Sequence, residues 1–133
     1  MAMKNLNAWA PRVLSLLRIM SALTFMAHGT QKLLNVPPRQ GGGMGPELMS
    51  MIGAAGAIEL VGGALLVIGL FTRPVAFICS GLMAAAYFIA HAPHSFFPTL
   101  NGGDAAILFC FIFLYLVFAG GGSVSVDALR SKS

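Results

Sequence analysis

The sequence predicts an all-α membrane protein that crosses a bilayer about four times. Of its 133 residues, 57% are hydrophobic and only 9% are charged, whereas a typical soluble domain carries about 25% charged residues. Four apolar runs approach the roughly 20 residues that a helix needs to cross a hydrocarbon core of about 30 Å. A soluble chain of this composition would expose large apolar patches and aggregate, so the surrounding medium must be lipid.

The four predicted helices form one domain over residues 1–133, and their approximate bounds are 13–34, 48–71, 74–92 and 104–119. The breaker Thr72-Arg73-Pro74 separates the second helix from the third, Pro93 ends the third, and Gly120-Gly121-Gly122 ends the fourth. Because so little chain joins the second and third helices, they must form a tight antiparallel hairpin. The first run is interpreted as a retained span and not as a signal peptide, since Arg18 interrupts its apolar centre.

The basic residues predict which side of the bilayer holds the termini. The net charge is +4, but the cations lie at the edges of apolar runs and not in an aromatic-rich patch, which argues against nucleic acid and favours anionic head groups. In a four-span topology one side holds Lys4, Arg12, Arg73, Arg130 and Lys132. The other side holds Lys32 and Arg39. The positive-inside rule then predicts that both termini are cytoplasmic.

Polar residues at membrane depth are the candidate functional residues, because a charge at the bilayer centre costs about 2.5 to 3.5 kcal/mol. On the first helix Arg18, His28 and Lys32 fall within an arc of about 80°. Glu59 lies near the middle of the second helix. We predict a buried Arg18–Glu59 ion pair, with His28 in the same interior cavity. The pair either fixes the helix register or holds a polar head group and passes protons.

A second polar group lies at the outer end of the third and fourth helices. Asn101 or Asp104 is expected to cap the fourth helix, and His91 and His94 are expected to line the rim of the cavity. No metal is predicted, because His-x-x-His across Pro93 is not a helical ligand pair. With no oriented nucleophile in the sequence, catalytic residues stay unassigned. The candidates for ligand binding or proton exchange are Arg18, His28, Lys32, Glu59, His91, Asn101 and Asp104.

Seven segments in combination point to a known family. They are Leu17-Arg18, His28-Gly29-Thr30-Gln31-Lys32-Leu33, Glu59-Leu60-Val61-Gly62-Gly63, Gly69-Leu70-Phe71-Thr72-Arg73-Pro74, Asn101-Gly102-Gly103-Asp104-Ala105, Gly120-Gly121-Gly122 and Ser125-Val126-Asp127. In order and spacing, over about residues 12–128, they resemble the DoxX family of small four-span bacterial membrane proteins. The family more often has Glu where Asp104 stands, so this chain keeps the negative charge on a shorter arm.

The resemblance implies a multi-pass protein of the bacterial cytoplasmic (inner) membrane, surrounded by lipid and paired with a protein partner or with further copies of itself. Some family members are subunits of a thiosulfate:quinone oxidoreductase, and others act in membrane-associated redox stress complexes. One hypothesis is therefore a quinone-linked redox subunit whose head-group cavity is lined by Arg18, His28, Glu59 and His91.

The chain shows no redox centre of its own, so no intrinsic cofactor is predicted, and the sequence leaves open whether the chain is itself an enzyme. The second hypothesis is a non-catalytic membrane anchor or assembly partner for another enzyme. It is favoured by the small size of the chain and by its basic cytoplasmic surface. A transporter is disfavoured, because four short helices enclose little volume and no inverted repeat is evident.

Overall fold

The computed structural model describes residues 2–38 and 46–131, and this part of the chain is helical without strands. The α-helices are α1 Ala2–Leu34, α2 Pro46–Ile68, α3 Thr72–Ala86, α4 Pro98–Asn101, α5 Asp104–Ala119 and α6 Val126–Ser131. A π-helical turn at Tyr87–His91 and a 3-10 turn at Ala92–His94 continue α3. Arg39, Lys132 and the glycines of the predicted first loop, residues 41–43, lie outside the described residues.

The all-α prediction is confirmed, and three of the described helical stretches are long and apolar enough to cross a membrane. They are Asn5–Leu34, Ser50–Ile68 and Thr72–His94. Helix α5 has the predicted bounds and is also apolar. Its 16 residues, however, extend only about 24 Å. Helix α1 packs mainly on α2 and α3 mainly on α5, with α2 and α3 joining the two pairs.

Helix α1 begins well before the predicted start at residue 13. It runs through Pro11 and has 33 residues, a length of about 50 Å that exceeds the hydrocarbon core. Proline removes one helical hydrogen bond because it has no N–H. The helix tolerates this loss because residues 5–13 are exposed, so the carbonyl group left without a donor can be solvated.

The turn between α2 and α3 explains why α2 ends at Ile68 and not at the predicted residue 71. Gly69 has a φ of 71°, a left-handed conformation that glycine adopts without steric cost. The N–H of Leu70 donates to the carbonyl of Leu65 at 3.0 Å, and the N–H of Gly69 donates to Leu66 at 3.2 Å. These two bonds form a Schellman motif, which satisfies the last carbonyls of α2 and stops the helix. The predicted tight hairpin is confirmed.

The third helix loses its regular α-helical winding before the predicted end at residue 92. From Tyr87 onward it widens into a π turn and then tightens into a 3-10 turn. Pro93 has no N–H to donate to the carbonyl one turn earlier, so regular α-helical bonding cannot continue past it.

The core is narrow, and the outer faces of the helices are apolar. Phe25 of α1 contacts Phe109 and Phe113 of α5 edge to face, with ring centroids 5.5 Å and 4.8 Å apart. Aromatic pairs in this geometry stabilise a core beyond their buried area. Large exposed apolar side chains include Leu16, Met20, Val61, Phe77, Phe88, Leu108, Phe111 and Phe118. Such outward faces suit contact with lipid.

Candidate functional site

Arg18 lies at one end of the bundle, where α2 and α5 end, α3 begins and α6 packs. We call this the arginine end. Only 1% of Arg18 is exposed. Its Nε donates to the carbonyl of Leu66 at 2.7 Å, and Nη2 donates to Val67 at 3.2 Å and to Val124 at 2.8 Å. Nη1 donates to the carbonyl of Gly121. The guanidinium is thus bonded to main-chain carbonyls on two sides.

The predicted Arg18–Glu59 ion pair is wrong, because the register of α1 on α2 differs from the expected one. The Arg18 acceptor Leu66 lies seven residues after Glu59, which is about 10 Å along α2. Gly29 faces Glu59 instead. A Cβ at Gly29 would lie 3.1 Å from the Cβ of Glu59, so the missing side chain lets the two helices meet at this level. Arg18 is level with the last turn of α2 and not with its middle.

The segment after α5 packs on α1 and completes the surroundings of Arg18. The Oγ of Ser15 donates to the carbonyl of Gly121 at 3.0 Å and accepts the N–H of Val124 at 2.9 Å. The N–H of Ser123 donates to the carbonyl of Pro11 at 3.2 Å. Ser15 was not predicted as a site residue, because a lone serine on an apolar helix has no distinctive pattern.

Asp127 holds the start of α3, although the two are far apart in sequence. Its carboxylate oxygens accept the N–H groups of Phe71 and Thr72, each at 2.9 Å. Burial works to raise the pKa of Asp127, but these hydrogen bonds and the charge of Arg130 outweigh it and lower the pKa. The bond at Thr72 also explains why α3 begins there and not at Pro74. The segment Ser125-Val126-Asp127 was quoted for the family resemblance only.

The partner of Glu59 is Lys32, and the two form an ion pair. The Glu59 side chain is 1% exposed and that of Lys32 is 23% exposed. Glu59 lies midway along the apolar stretch Ser50–Ile68, nine residues from either end. Its Oε1 accepts from Lys32, while its Oε2 is buried with no hydrogen-bond partner in the described structure. A buried acceptor left unpaired costs about 1–3 kcal/mol.

His28 does not share an interior cavity with Arg18 and Glu59. It is exposed, and its ring meets Phe109 edge to face at 5.8 Å between centroids. The predicted polar stripe of α1 therefore divides into three environments: Arg18 is buried among carbonyls, His28 is at the surface, and Lys32 is half-buried beside Glu59.

His91 and Asn101 are brought together, as the sequence indicated, at the opposite end of the bundle. We call this the histidine end. The Nδ1 of His91 lies 3.0 Å from the carbonyl oxygen of Asn101. The Nδ2 of Asn101 donates to the Tyr87 hydroxyl at 3.1 Å and to the Ser95 carbonyl at 3.0 Å. Tyr87 is a further member of this cluster that the sequence analysis missed.

The expected cap of α5 takes a different form. The Oδ1 of Asn101 accepts the N–H of Gly103 at 2.8 Å, so Asn101 fixes the residue before α5 and not an N–H of the helix itself. Asp104 is exposed in the first turn of α5, where its charge complements the helix dipole. His94 is also exposed. Across residues 2–38 and 46–131, no three His, Cys, Asp or Glu side chains gather as metal ligands would.

Comparison with known proteins identifies a family over most of the helical part of the chain. The family model for DoxX matches residues 13–92, from α1 through the turns after α3. The chain belongs to the DoxX family. This DoxX protein is 46% identical over 128 residues to an uncharacterized protein of Haemophilus influenzae, a match that covers 94% of the chain and 96% of the relative. No solved structure matches it.

Family and structure together make this chain a membrane protein in contact with lipid. The matched residues include Arg18, Lys32 and Glu59, whereas Asn101, Asp104 and Asp127 lie beyond the match. The buried ionic residues Arg18 and Glu59 are therefore part of the matched segment.

Proposed function

We propose that the chain is an integral subunit of a membrane redox system that binds a quinone head group at Lys32 and Glu59. The observation that carries the proposal is the buried Oε2 of Glu59, which has no hydrogen-bond partner among the described residues. An acceptor of this kind is stabilised by a proton or by the hydroxyl group of a ligand. Lys32 supplies ammonium donors for a carbonyl oxygen beside it.

The depth of Glu59 supports a ligand that arrives through the lipid. A water-soluble ligand would have to cross about half of the hydrocarbon core to reach the middle of α2. A quinone is apolar enough to dissolve in the bilayer, and it carries carbonyl oxygens that become hydroxyl groups on reduction. The donor and acceptor of the Lys32–Glu59 pair fit both forms.

Reduction of a quinone to a quinol takes two electrons and two protons. In this proposal a partner subunit that carries a redox cofactor supplies the electrons. The Lys32–Glu59 pair orients the head group and passes protons to it in this proposal. Arg18 takes no part, because four hydrogen bonds to carbonyls already hold it.

We also propose that the chain spans the bacterial inner membrane four times, with α5 as the shortest span and the arginine end in the cytoplasm. Arg12, Arg73 and Arg130 lie at that end, whereas Lys32 lies in the last turn of α1, away from that end, and is paired with Glu59. This asymmetry agrees with the positive-inside rule.

Quinone binding by the purified chain tests the function. We expect a short-chain ubiquinone analogue to bind the wild type in mild detergent, and the variants Glu59→Gln and Lys32→Met to weaken binding about tenfold or more, the effect of losing one hydrogen bond to a charged group. Glu47→Gln is the matched control, because it removes the same charge from an earlier turn of α2. Titration followed by native mass spectrometry measures the affinities.

Equal quinone affinity in the wild type and in Glu59→Gln would refute the proposal. If both variants also support normal quinone reduction in membranes, the anchor hypothesis replaces it. Copurification of a partner enzyme from mild detergent, unchanged by Glu59→Gln, would be the positive sign of that second function.

A further inference from the structure

A groove of about 850 Å³ opens at the arginine end, and neither the Lys32–Glu59 pair nor the His91 cluster contributes to it. Four helices supply its walls: α1 with Pro11 and Leu14, α3 with Arg73, α5 with Tyr115, and α6 with Asp127. We call it the arginine groove. Its volume falls in the range of small-molecule sites, about 300–1,000 Å³, and its position at the ends of α2 and α5 places it at the membrane surface.

Arg73 offers unused donors to this groove. Its Nη1 donates to the carbonyls of Val117 and Phe118 at the end of α5. Within residues 2–38 and 46–131, Nη1 is the donor in all of the hydrogen bonds that Arg73 makes. The N–H groups of Nε and Nη2 are therefore available to another acceptor. Gly120 leaves room beside them, since a Cβ there would lie 3.2 Å from Nη2 and 3.6 Å from Nε. Nε and Nη2 together form the fork that binds phosphate bidentately.

The charges around the groove favour an anion. Arg12 and Arg130 lie at the same end as Arg73, stacked on Trp9 and Phe71 at 5.1 Å and 5.0 Å. Asp127 is the acidic residue that lines the groove, and both of its oxygens are already bonded to the start of α3. Among the described residues, three arginines and one carboxylate therefore lie at this surface.

The walls of the groove join a polar surface to lipid-facing helices. Tyr115 is 57% exposed and Phe118 is 75% exposed, and both belong to the last turns of α5. Tyrosine is enriched at the level of head groups, where its ring meets acyl chains and its hydroxyl meets water. A ligand with a phosphate at Arg73 could thus lay its chains along the exposed apolar side of α5.

We propose that the arginine groove binds the phosphate of an anionic phospholipid, with Arg73 as the residue that contacts it. In such a site the Arg73 guanidinium donates two hydrogen bonds to phosphate oxygens. Inorganic phosphate carries the same oxygens and could bind in the same way. Lipid is the favoured source because the groove lies at the membrane surface beside exposed apolar side chains of α5, and because anionic lipids are attracted to basic segments at that level.

The test compares three probes on the full chain purified in a neutral detergent: phosphatidylglycerol, phosphatidylcholine and inorganic phosphate. Native mass spectrometry and thermal shift report binding. We expect phosphatidylglycerol to bind wild type about tenfold more tightly than phosphatidylcholine, and Arg73→Gln to remove that preference, as the loss of a charge-assisted bidentate pair requires. Arg12→Gln is the matched control, because it removes the same charge at the same end without lining the groove, and it should keep the preference.

Three results would overturn the proposal. Equal binding of the two lipids by wild type would show that the groove does not select an anion. If Arg73→Gln and Arg12→Gln lost the preference for phosphatidylglycerol equally, the lipid would be attracted by the general positive charge and not by a specific site. Arg73-dependent binding of inorganic phosphate as tight as that of phosphatidylglycerol would assign the groove to a free anion. If Arg73→Gln fails to fold, Arg73→Lys keeps the charge without the fork, and we expect it to weaken the preference.

Discussion

Gly29→Ala tests the close packing of α1 on α2 that sets their register. An added Cβ would lie 2.8 Å from the backbone nitrogen of Leu60, 3.0 Å from the carbonyl oxygen of Gly56 and 3.1 Å from the Cβ of Glu59. Two of these atoms belong to the backbone of α2 and cannot rotate aside. The helices must therefore move apart at the level of the Lys32–Glu59 pair.

Two opposing effects determine the expected loss of stability. Replacing a helical glycine by alanine favours the helix by up to about 1 kcal/mol. Overpacking a well-packed contact costs about 1–3 kcal/mol, so we expect Gly29→Ala to be destabilised by about 1–2 kcal/mol. Gly53→Ala and Gly81→Ala are matched controls, because nothing lies within 4 Å of a Cβ at either position. They should be unchanged or slightly more stable.

Unfolding in mixed micelles, with a denaturing detergent added to a mild one and circular dichroism as the signal, measures the three variants side by side. If α1 and α2 meet at Gly29, the Gly29→Ala variant should unfold at a lower fraction of denaturing detergent than both control variants. If all three variants unfold together, α1 and α2 do not meet at Gly29. The pairing of Lys32 with Glu59 would then lose its structural basis.

The remaining predictions concern the arginine end. Arg18→Lys replaces a fork by one ammonium group that cannot reach carbonyls on two sides, so we expect a loss of about 2 kcal/mol or more in the same unfolding assay, whereas Arg12→Lys at the surface should change little. Equal stability of the two variants would contradict the structural role of Arg18. For topology, a membrane-impermeant thiol reagent on intact cells should label Thr99→Cys and spare Ser131→Cys, in a background without native cysteines. The reverse pattern would place the arginine end outside.

The sequence was informative wherever local chemistry determines the outcome. Apolar run lengths predicted the helices, and the predicted bounds of α5 are those observed, because a glycine with φ of 79° follows Ala119. Hydropathy alone could not find the end of α2 or the start of α3. The first depends on a Schellman motif at Gly69, and the second depends on Asp127, which comes from the far end of the chain.

The polar residues were found, but their partners were not. Arg18 was expected to pair with a carboxylate, but its acceptors are main-chain carbonyl groups. Because every residue carries such a carbonyl, the side-chain pattern could not predict which ones would bind Arg18. Lys32 is the partner of Glu59 because α1 and α2 meet closely at Gly29, which lies 11 residues after Arg18 and three residues before Lys32. Helix register depends on which small residues meet, and α2 carries glycines at positions 53, 56, 62 and 63.

Among the residues whose burial is described, Arg18 and Glu59 are the two buried ionic side chains, and they differ in how fully they are hydrogen-bonded. Arg18 is enclosed by acceptors that use its donors, so it stabilises the joint between α2 and the segment after α5, and a ligand could reach it only by breaking those bonds. Glu59 is as deeply buried, but its Oε2 has no hydrogen-bond partner within residues 2–38 and 46–131. Because such an atom is costly in a medium without water, we propose that it accepts a hydrogen bond from a ligand, whereas no ligand is proposed at Arg18. Burial alone would have ranked these two residues as equals.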